Sequence, residues 1–185
     1  MPHIKVIEHS EAEGQLKEIY DDLVTKRGKL AEVHKIQSLN PESIVKHMEL
    51  YMTIMFSKSP LSRAQREMIA VVVSVANSCL YCQTHHAEAL NHYWKDDSKI
   101  SQLKRDYSKT ELSDIDLNLC ELAWQLTRIP SVTTETIISK FKELGLEDRG
   151  ILDATLVISY FNFVNRMVLG LGVHLEKDKG TGYKY

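Results

Sequence analysis

The chain has 185 residues, 43% apolar and 26% charged, with a formal net charge of −2. This balance suits a folded protein of about one domain and excludes a disordered or fibrous chain. Charges of both signs are mixed along it, without the clustered basic face that neutralises phosphates, so nucleic acid is not an expected partner.

The opening MPHIKVIEHSEAEG turns polar within a few residues and lacks the apolar stretch of a signal peptide or anchor, which predicts a cytoplasmic protein with no membrane partner. Ser10-x-x-Glu13 reads as a capping box opening a first helix through Leu16, Ile19, Tyr20 and Leu23 to Gly28. Asn40-Pro41 supplies an N-cap and a proline at the first helical position. The helix it opens carries Ile44, Val45, Met48, Tyr51, Met52 and Met55, read as core, and closes near Ser57–Pro60. Ser62-x-x-Gln65 is a second capping box, and the long segment it begins is broken only at Asn77-Ser78, where two helices are expected to meet. Ser113 opens a helix through Leu126 that ends at Pro130, Thr133 to Leu144 forms another, and the last runs from Glu147 to about Leu169. That last helix is apolar on most sides, which predicts burial at the centre or a contact between subunits. The tail 173–185 is expected to be loose or to pack on a neighbour.

Ile69 to Val75 is β-branched enough to be a buried strand, and a strand before C-x-x-C is the thioredoxin layout. The rest of the chain shows helix caps and periods near 3.6 with few alternating runs, so the expectation is an all-α, single-domain helical bundle over residues 1–185, its motif core at 60–95.

Two of the three cysteines and two of the eight histidines fall in SCLYCQTHH, residues 78–86. In a reducing compartment such a pair points to redox chemistry or metal binding, whereas Cys120, in an apolar helical pattern, reads as a buried small hydrophobe. With Ser78 as cap and Cys79 in the first turn, helical geometry puts Cys79 and Cys82 about 60° apart with His86 between them. His85 lies farther round, as a second proton carrier or an exposed neighbour, and Tyr81 lies opposite. A helix start favours thiolate over thiol, and His86, four residues after Cys82, can take or return its proton. Glu67, in line with Val71 and Val75 on the preceding helix, is the candidate to orient that imidazole, provided the chain folds back at Asn77-Ser78. Zinc bound by Cys79, Cys82 and His85 or His86 is the metal alternative, although no second ligand pair occurs. His3, His9, His34, His47, His92 and His174 read as surface or capping groups.

Glu67, Cys79, Cys82 and His86 together spell E-x11-C-x2-C-x3-H. This resembles the signature of the alkylhydroperoxidase D-like family, within the carboxymuconolactone decarboxylase-like superfamily. The flanks PLSRAQREMIAVVVSVANSCLYCQTHH and YFNFVNRMVLGLGV look like its peroxidase-related subgroup. The resemblance implies an all-helical fold, a homo-oligomer (trimer or hexamer), and antioxidant reduction of a hydroperoxide without cofactor or metal. In that scheme Cys82 attacks the peroxide, Cys79 closes a disulfide with the resulting sulfenic acid, Glu67 and His86 relay protons, and a lipoyl- or thioredoxin-like dithiol restores the pair. In such a family the helix bearing Tyr51 and Phe56 can wall the pocket. The chain has Tyr81 where the best-known peroxidases of the family often have histidine. A redox-responsive or disulfide-exchange oligomer with little turnover is the alternative function.

Overall fold

A capping box sets the helix around which the others pack. Ser62 Oγ accepts from the Gln65 backbone N–H at 3.1 Å and Gln65 Oε1 accepts from the Ser62 N–H at 2.9 Å. Two otherwise orphaned donors are thereby satisfied, and the helix begins at Arg63. In the computed structural model, which describes residues 1–131 and 134–176, this helix is the fourth of nine among the described residues: α1 (Gly14–Arg27), α2 (Glu32–Lys35), α3 (Pro41–Phe56), α4 (Arg63–Ala76), α5 (Leu80–Trp94), α6 (Asp97–Arg105), α7 (Asp114–Arg128), α8 (Glu135–Glu143) and α9 (Asp148–Leu171). No strand occurs among them. The fold is all-α, and the β-branched run from Ile69 to Val75 is helix, buried from Ile69 to Ser74.

Helix α4 buries every residue from Arg66 to Ser74. It packs against α5, α7 and α9, and burial of each Val, Ile or Met in it contributes about 1.5–3 kcal/mol. Tertiary packing outweighs the modest helix propensity of valine here. Two arginines of α4 also cap the C-terminus of α3: Arg63 donates to the Met55 carbonyl at 2.6 Å and Arg66 to that of Ile54 at 3.2 Å. A smaller apolar cluster joins Leu16, Tyr20 and Leu23 of α1 to Ile44 of α3. Helix α9 is long and apolar enough to span a membrane by composition, but Ala154, Val157, Ile158, Phe161 and Val164 lie buried in the main core, so it packs as a core helix does.

The predicted elements differ from the structure at their ends. The first helix starts at Gly14 with Glu13 as N-cap, and the preceding capping box belongs to Glu8 and Glu11 of a 3-10 turn instead of Ser10 and Glu13. The short α2 and the Asp96-capped α6 carry too few apolar positions to announce themselves. Thr133 and the tail from 177 onward lie outside the described residues; Glu135–Glu143 is helical as expected.

The turn after α4 decides where the cysteines go. Cys79 N–H donates to the Ser74 carbonyl and Ser78 N–H to that of Val75, both at 2.9 Å, with Ser78 at φ 58°. That is a Schellman motif with serine in the left-handed position usually given to glycine. Asn77 Nδ2 donates to Asn162 Oδ1 and Asn165 Oδ1 at 3.0 and 3.1 Å, tying the turn to α9. The N-cap of α5 is therefore Cys79 itself, one residue later than the Ser78 the sequence suggests. Ser78→Gly is expected to raise unfolding stability by about 1 kcal/mol and Ser78→Val to lower it by at least as much; thermal denaturation of the two variants measures both.

Candidate active site

Glu67 has no exposed surface, and it is not alone. Its Oε2 lies 2.6 Å from His86 Nδ1, and its Oε1 lies 2.7 Å from Arg63 Nη2, one helical turn before it. The Arg63 contact is out of line for a straight hydrogen bond, so it acts as an ion pair. Arg63 is itself fixed by the Met55 carbonyl and by the Phe56 ring, 3.7 Å beneath its guanidinium. A carboxylate buried this deeply persists only with such partners, and removing one would leave the rest uncompensated at a cost of about 3–5 kcal/mol. The fold-back at Asn77-Ser78 thus brings Glu67 to the imidazole nineteen residues on. Nδ1 of His86 donates to Glu67, which leaves Nε2 as the nitrogen available for proton exchange. Phe161 of α9 fixes the ring edge-on, centroids 4.4 Å apart.

Cys79 and Cys82 are both buried free thiols. They occupy the N-cap and third helical positions of α5, within one helical turn of each other. Cys79 is held below the ordinary thiol value, first by the Cys82 thiol donating to its sulfur; burial opposes, and backbone N–H groups and the charge of His85 assist. Cys82 is pushed well above that value because its proton is held in the same bond, with burial and the charge on Cys79 adding.

A cavity of about 90 Å³ opens beside this pair. Cys82 and His86 line it, whereas Cys79 lies behind, with no exposed surface. Aromatic residues of three helices, Tyr51, Tyr81, Tyr160 and Phe161, form much of the wall. Tyr81 therefore faces the same cavity as Cys82, not the opposite side. Its hydroxyl donates to Glu176 at 2.8 Å, and its ring stacks on His85 at 4.2 Å. His85 is neither an exposed neighbour nor in the Glu67 relay: it lies 3.0 Å from Glu176.

Four residues escaped the sequence reading. Arg63 carried a signal, since a basic residue four before a buried acid shares its helix face. Glu176 carried none, being 95 residues from Tyr81. His34 and His47, expected at the surface, are buried in the cavity wall. Gln37 Nε2 donates to His47 Nδ1 at 2.8 Å, which fixes that nitrogen as an acceptor. Among the described residues no group of three His, Cys, Asp or Glu comes together as a metal site, and Cys120 is buried in the core as expected.

The profile of the carboxymuconolactone decarboxylase family matches residues 44–103, from α3 through α6. The fold is that of a peroxidase-related protein with an alkylhydroperoxidase AhpD core from Ralstonia eutropha JMP134, with a TM-score of 0.87 and 21% identity over 97% of this chain and 94% of that one. Residues 44–103 thus match the carboxymuconolactone decarboxylase family, and the chain as a whole shares the AhpD-like fold. A peroxidase-related protein from Silicibacter sp. TM1040 superposes equally well, with a TM-score of 0.87 and 24% identity over 99% of this chain and 96% of that one. The debrominase Bmp8 shares the fold too, and its complex with 2,3,4-tribromopyrrole gives a TM-score of 0.79 and 15% identity over 95% of this chain and 92% of that one. Among curated proteins none matches the sequence.

Two buried histidines make the stability of the fold sensitive to acid. Burial first, with His47 and Arg27 adding, pushes His34 down to about 3, and burial pushes His47 down to about 4. Both values lie below that of an unfolded histidine, so between about pH 6.5 and 4 the unfolded chain binds up to two more protons than the folded one. Stability is full above pH 6.5 and falls as acid is added; urea midpoints should decline from pH 7 to 5, and His47→Gln should flatten that decline.

Proposed function

We propose that this chain is a thiol-dependent peroxidase that reduces a small organic hydroperoxide with the Cys79–Cys82 pair. The observation that carries the reading is the position of Cys82, on the cavity wall beside His86, with the buried Cys79 three residues before it at the start of the same helix. Cys79 takes the Cys82 proton, and the thiolate so formed attacks the terminal peroxide oxygen. The O–O bond breaks, Cys82 becomes a sulfenic acid, and His86 delivers the proton with which the alcohol leaves. Cys79 then attacks the sulfenic sulfur; the disulfide forms and its thiol proton leaves with the hydroxyl as water. In sum, two thiols and one peroxide give a disulfide, an alcohol and water. Glu67 keeps the His86 tautomer and stabilises its cationic form. An external dithiol, lipoyl- or thioredoxin-like, reopens the disulfide by exchange.

The supporting facts are the AhpD-like fold and the buried Glu67–His86 contact. The expected outcome is hydroperoxide consumption driven by a dithiol, lost on Cys82→Ser and lowered about 10²–10⁴-fold by His86→Asn. Trapping with a sulfenic-acid reagent should label Cys82 in Cys79→Ser and nothing in Cys82→Ser. Reversible thiol loss without turnover would favour the redox-responsive alternative.

A second reading, favoured by the aromatic cavity wall and by the debrominase that shares the fold, is reductive dehalogenation of a small bromoarene. There two thiols and the aryl bromide would give disulfide, arene and hydrogen bromide. Bromide release from 2,3,4-tribromopyrrole tests it directly.

The protein works in the cytoplasm as a homo-oligomer in this reading, a trimer or hexamer. Leu152, Leu156 and Phe163 stand exposed on α9, a stripe of apolar surface that a second copy would cover. Sedimentation should give an oligomer for the parent chain and a monomer for Phe163→Glu.

A further inference from the structure

The cavity beside Cys82 carries one permanent cation and no acid. Among the described residues that line it, Arg27 is the lone arginine or lysine, and no aspartate or glutamate occurs. Arg27 is the last residue of α1, a place where a cation ordinarily steadies the free carbonyls of a helix end. Its neighbour Lys26 fits that role, exposed and paired with Asp22 at 2.8 Å. Arg27 turns to the cavity instead. Its guanidinium carbon lies 5.5 Å from the centre of the Tyr51 ring and 5.6 Å from that of Phe56. Aromatic faces hold such a group in place but leave its N–H donors unused. The buried carboxylates nearby are already engaged: Glu67 by Arg63 and His86, and Glu176 by the Tyr81 hydroxyl and the Glu32 N–H.

A second donor is built into the same wall. Gln37 Nε2 donates at 2.8 Å both to the Val33 carbonyl and to His47 Nδ1, and Gln37 Oε1 accepts from Ser43 Oγ at 3.3 Å. Turning that amide over would set its oxygen against the carbonyl, so His47 Nδ1 is fixed as an acceptor and the ring proton sits on Nε2. That leaves an N–H on a residue of the cavity wall. Met48, Phe161 and Val164 make the rest of the lining apolar. The ligand that matches these groups is an oxygen-bearing anion on a short apolar body.

We propose that Arg27 is a specificity-determining residue of the cavity, and that the substrate carries a carboxylate which pairs with its guanidinium. This rests on the peroxidase reading and deepens it by naming the class: a short aliphatic hydroperoxide with an acid group at its other end. Arg27 keeps part of its surface in solvent, whereas Cys82 is 2% exposed. A ligand held by Arg27 is therefore turned with its charged head outward and its far end towards the sulfur. The cavity of about 90 Å³ suits a body of a few carbon atoms. A guanidinium takes a carboxylate through two parallel N–H bonds, which gives direction as well as attraction.

The test is equilibrium binding of propionate and of its neutral isostere propionamide to the reduced full chain, followed by the NMR shifts of His47, Ala89 and Val164. Propionate should perturb these signals and bind at least about tenfold more tightly than propionamide, since the amide forgoes the charge-assisted pair. Arg27→Gln should abolish that preference and Arg27→Lys should keep part of it. Lys26→Gln, which removes a charge from the same helix end, should leave it intact. Equal binding of the two probes, binding of neither, or a preference that survives in a folded Arg27→Gln would overturn the proposal. The comparison of the two probes in the unaltered chain stands whether or not a variant folds. Neither probe is a peroxide, so the two readings fail separately. A chain that prefers propionate through Arg27 but consumes no hydroperoxide keeps this site and loses the peroxidase; turnover without that preference does the reverse.

Discussion

A carboxylate without exposed surface, shared between a guanidinium and an imidazole, is the constraint on which the site depends. In that setting Glu67 cannot rotate towards solvent, so Arg63 and His86 are held where it needs them. Arg63 also reaches the last turn of α3, and His86 belongs to α5, so one charge cluster fixes the mutual placement of three helices. Charge pairs on a protein surface contribute little. Here burial reverses that weighting, because the alternative to the pairing is an uncompensated ion in the core.

The turn between α4 and α5 converts this constraint into sulfur chemistry. Its Schellman hydrogen bonds fix the residue that first enters α5, and that residue is Cys79. A cysteine at the N-cap and another three residues later lie within one helical turn, so the pair can meet without rearrangement of the backbone. Asn165 of α9 reaches both Asn77 and Ser74, so the turn before the cysteines is anchored to α9. The cavity takes its shape from side chains that these same helices supply. Two of its histidines, His34 and His47, are pushed down by burial and so are neutral at ordinary pH.

Local signals made much of this legible. Ser62 with Gln65, Asn40 with Pro41, and Ser113 before its acidic turn each mark a helix start that the structure keeps, because capping is decided within four residues. The pairing of Glu67 with His86 was readable because a break at Asn77-Ser78 implies a reversal of the chain. What stayed hidden is non-local. Glu176 reaches Tyr81 and His85 across the fold, and no periodicity or spacing connects them. Tyr81 was misplaced because helical angles give direction relative to the axis, not which neighbours have closed round it. His34 and His47 were assigned to the surface by residue type, whereas packing against Tyr160 and Phe163 encloses His47.

Helix α9 bears on how the chain reaches its native state. Its apolar composition would let it enter a lipid bilayer, yet its place is beside α4 and α7. It follows them in chain order, so during synthesis its docking partners leave the ribosome first and wait as a receptive groove. Sequence order thus shortens the interval in which this segment is open to capture by a translocase or by aggregation. A circular permutation that moved α9 ahead of α4 would preserve every native contact while lengthening that interval.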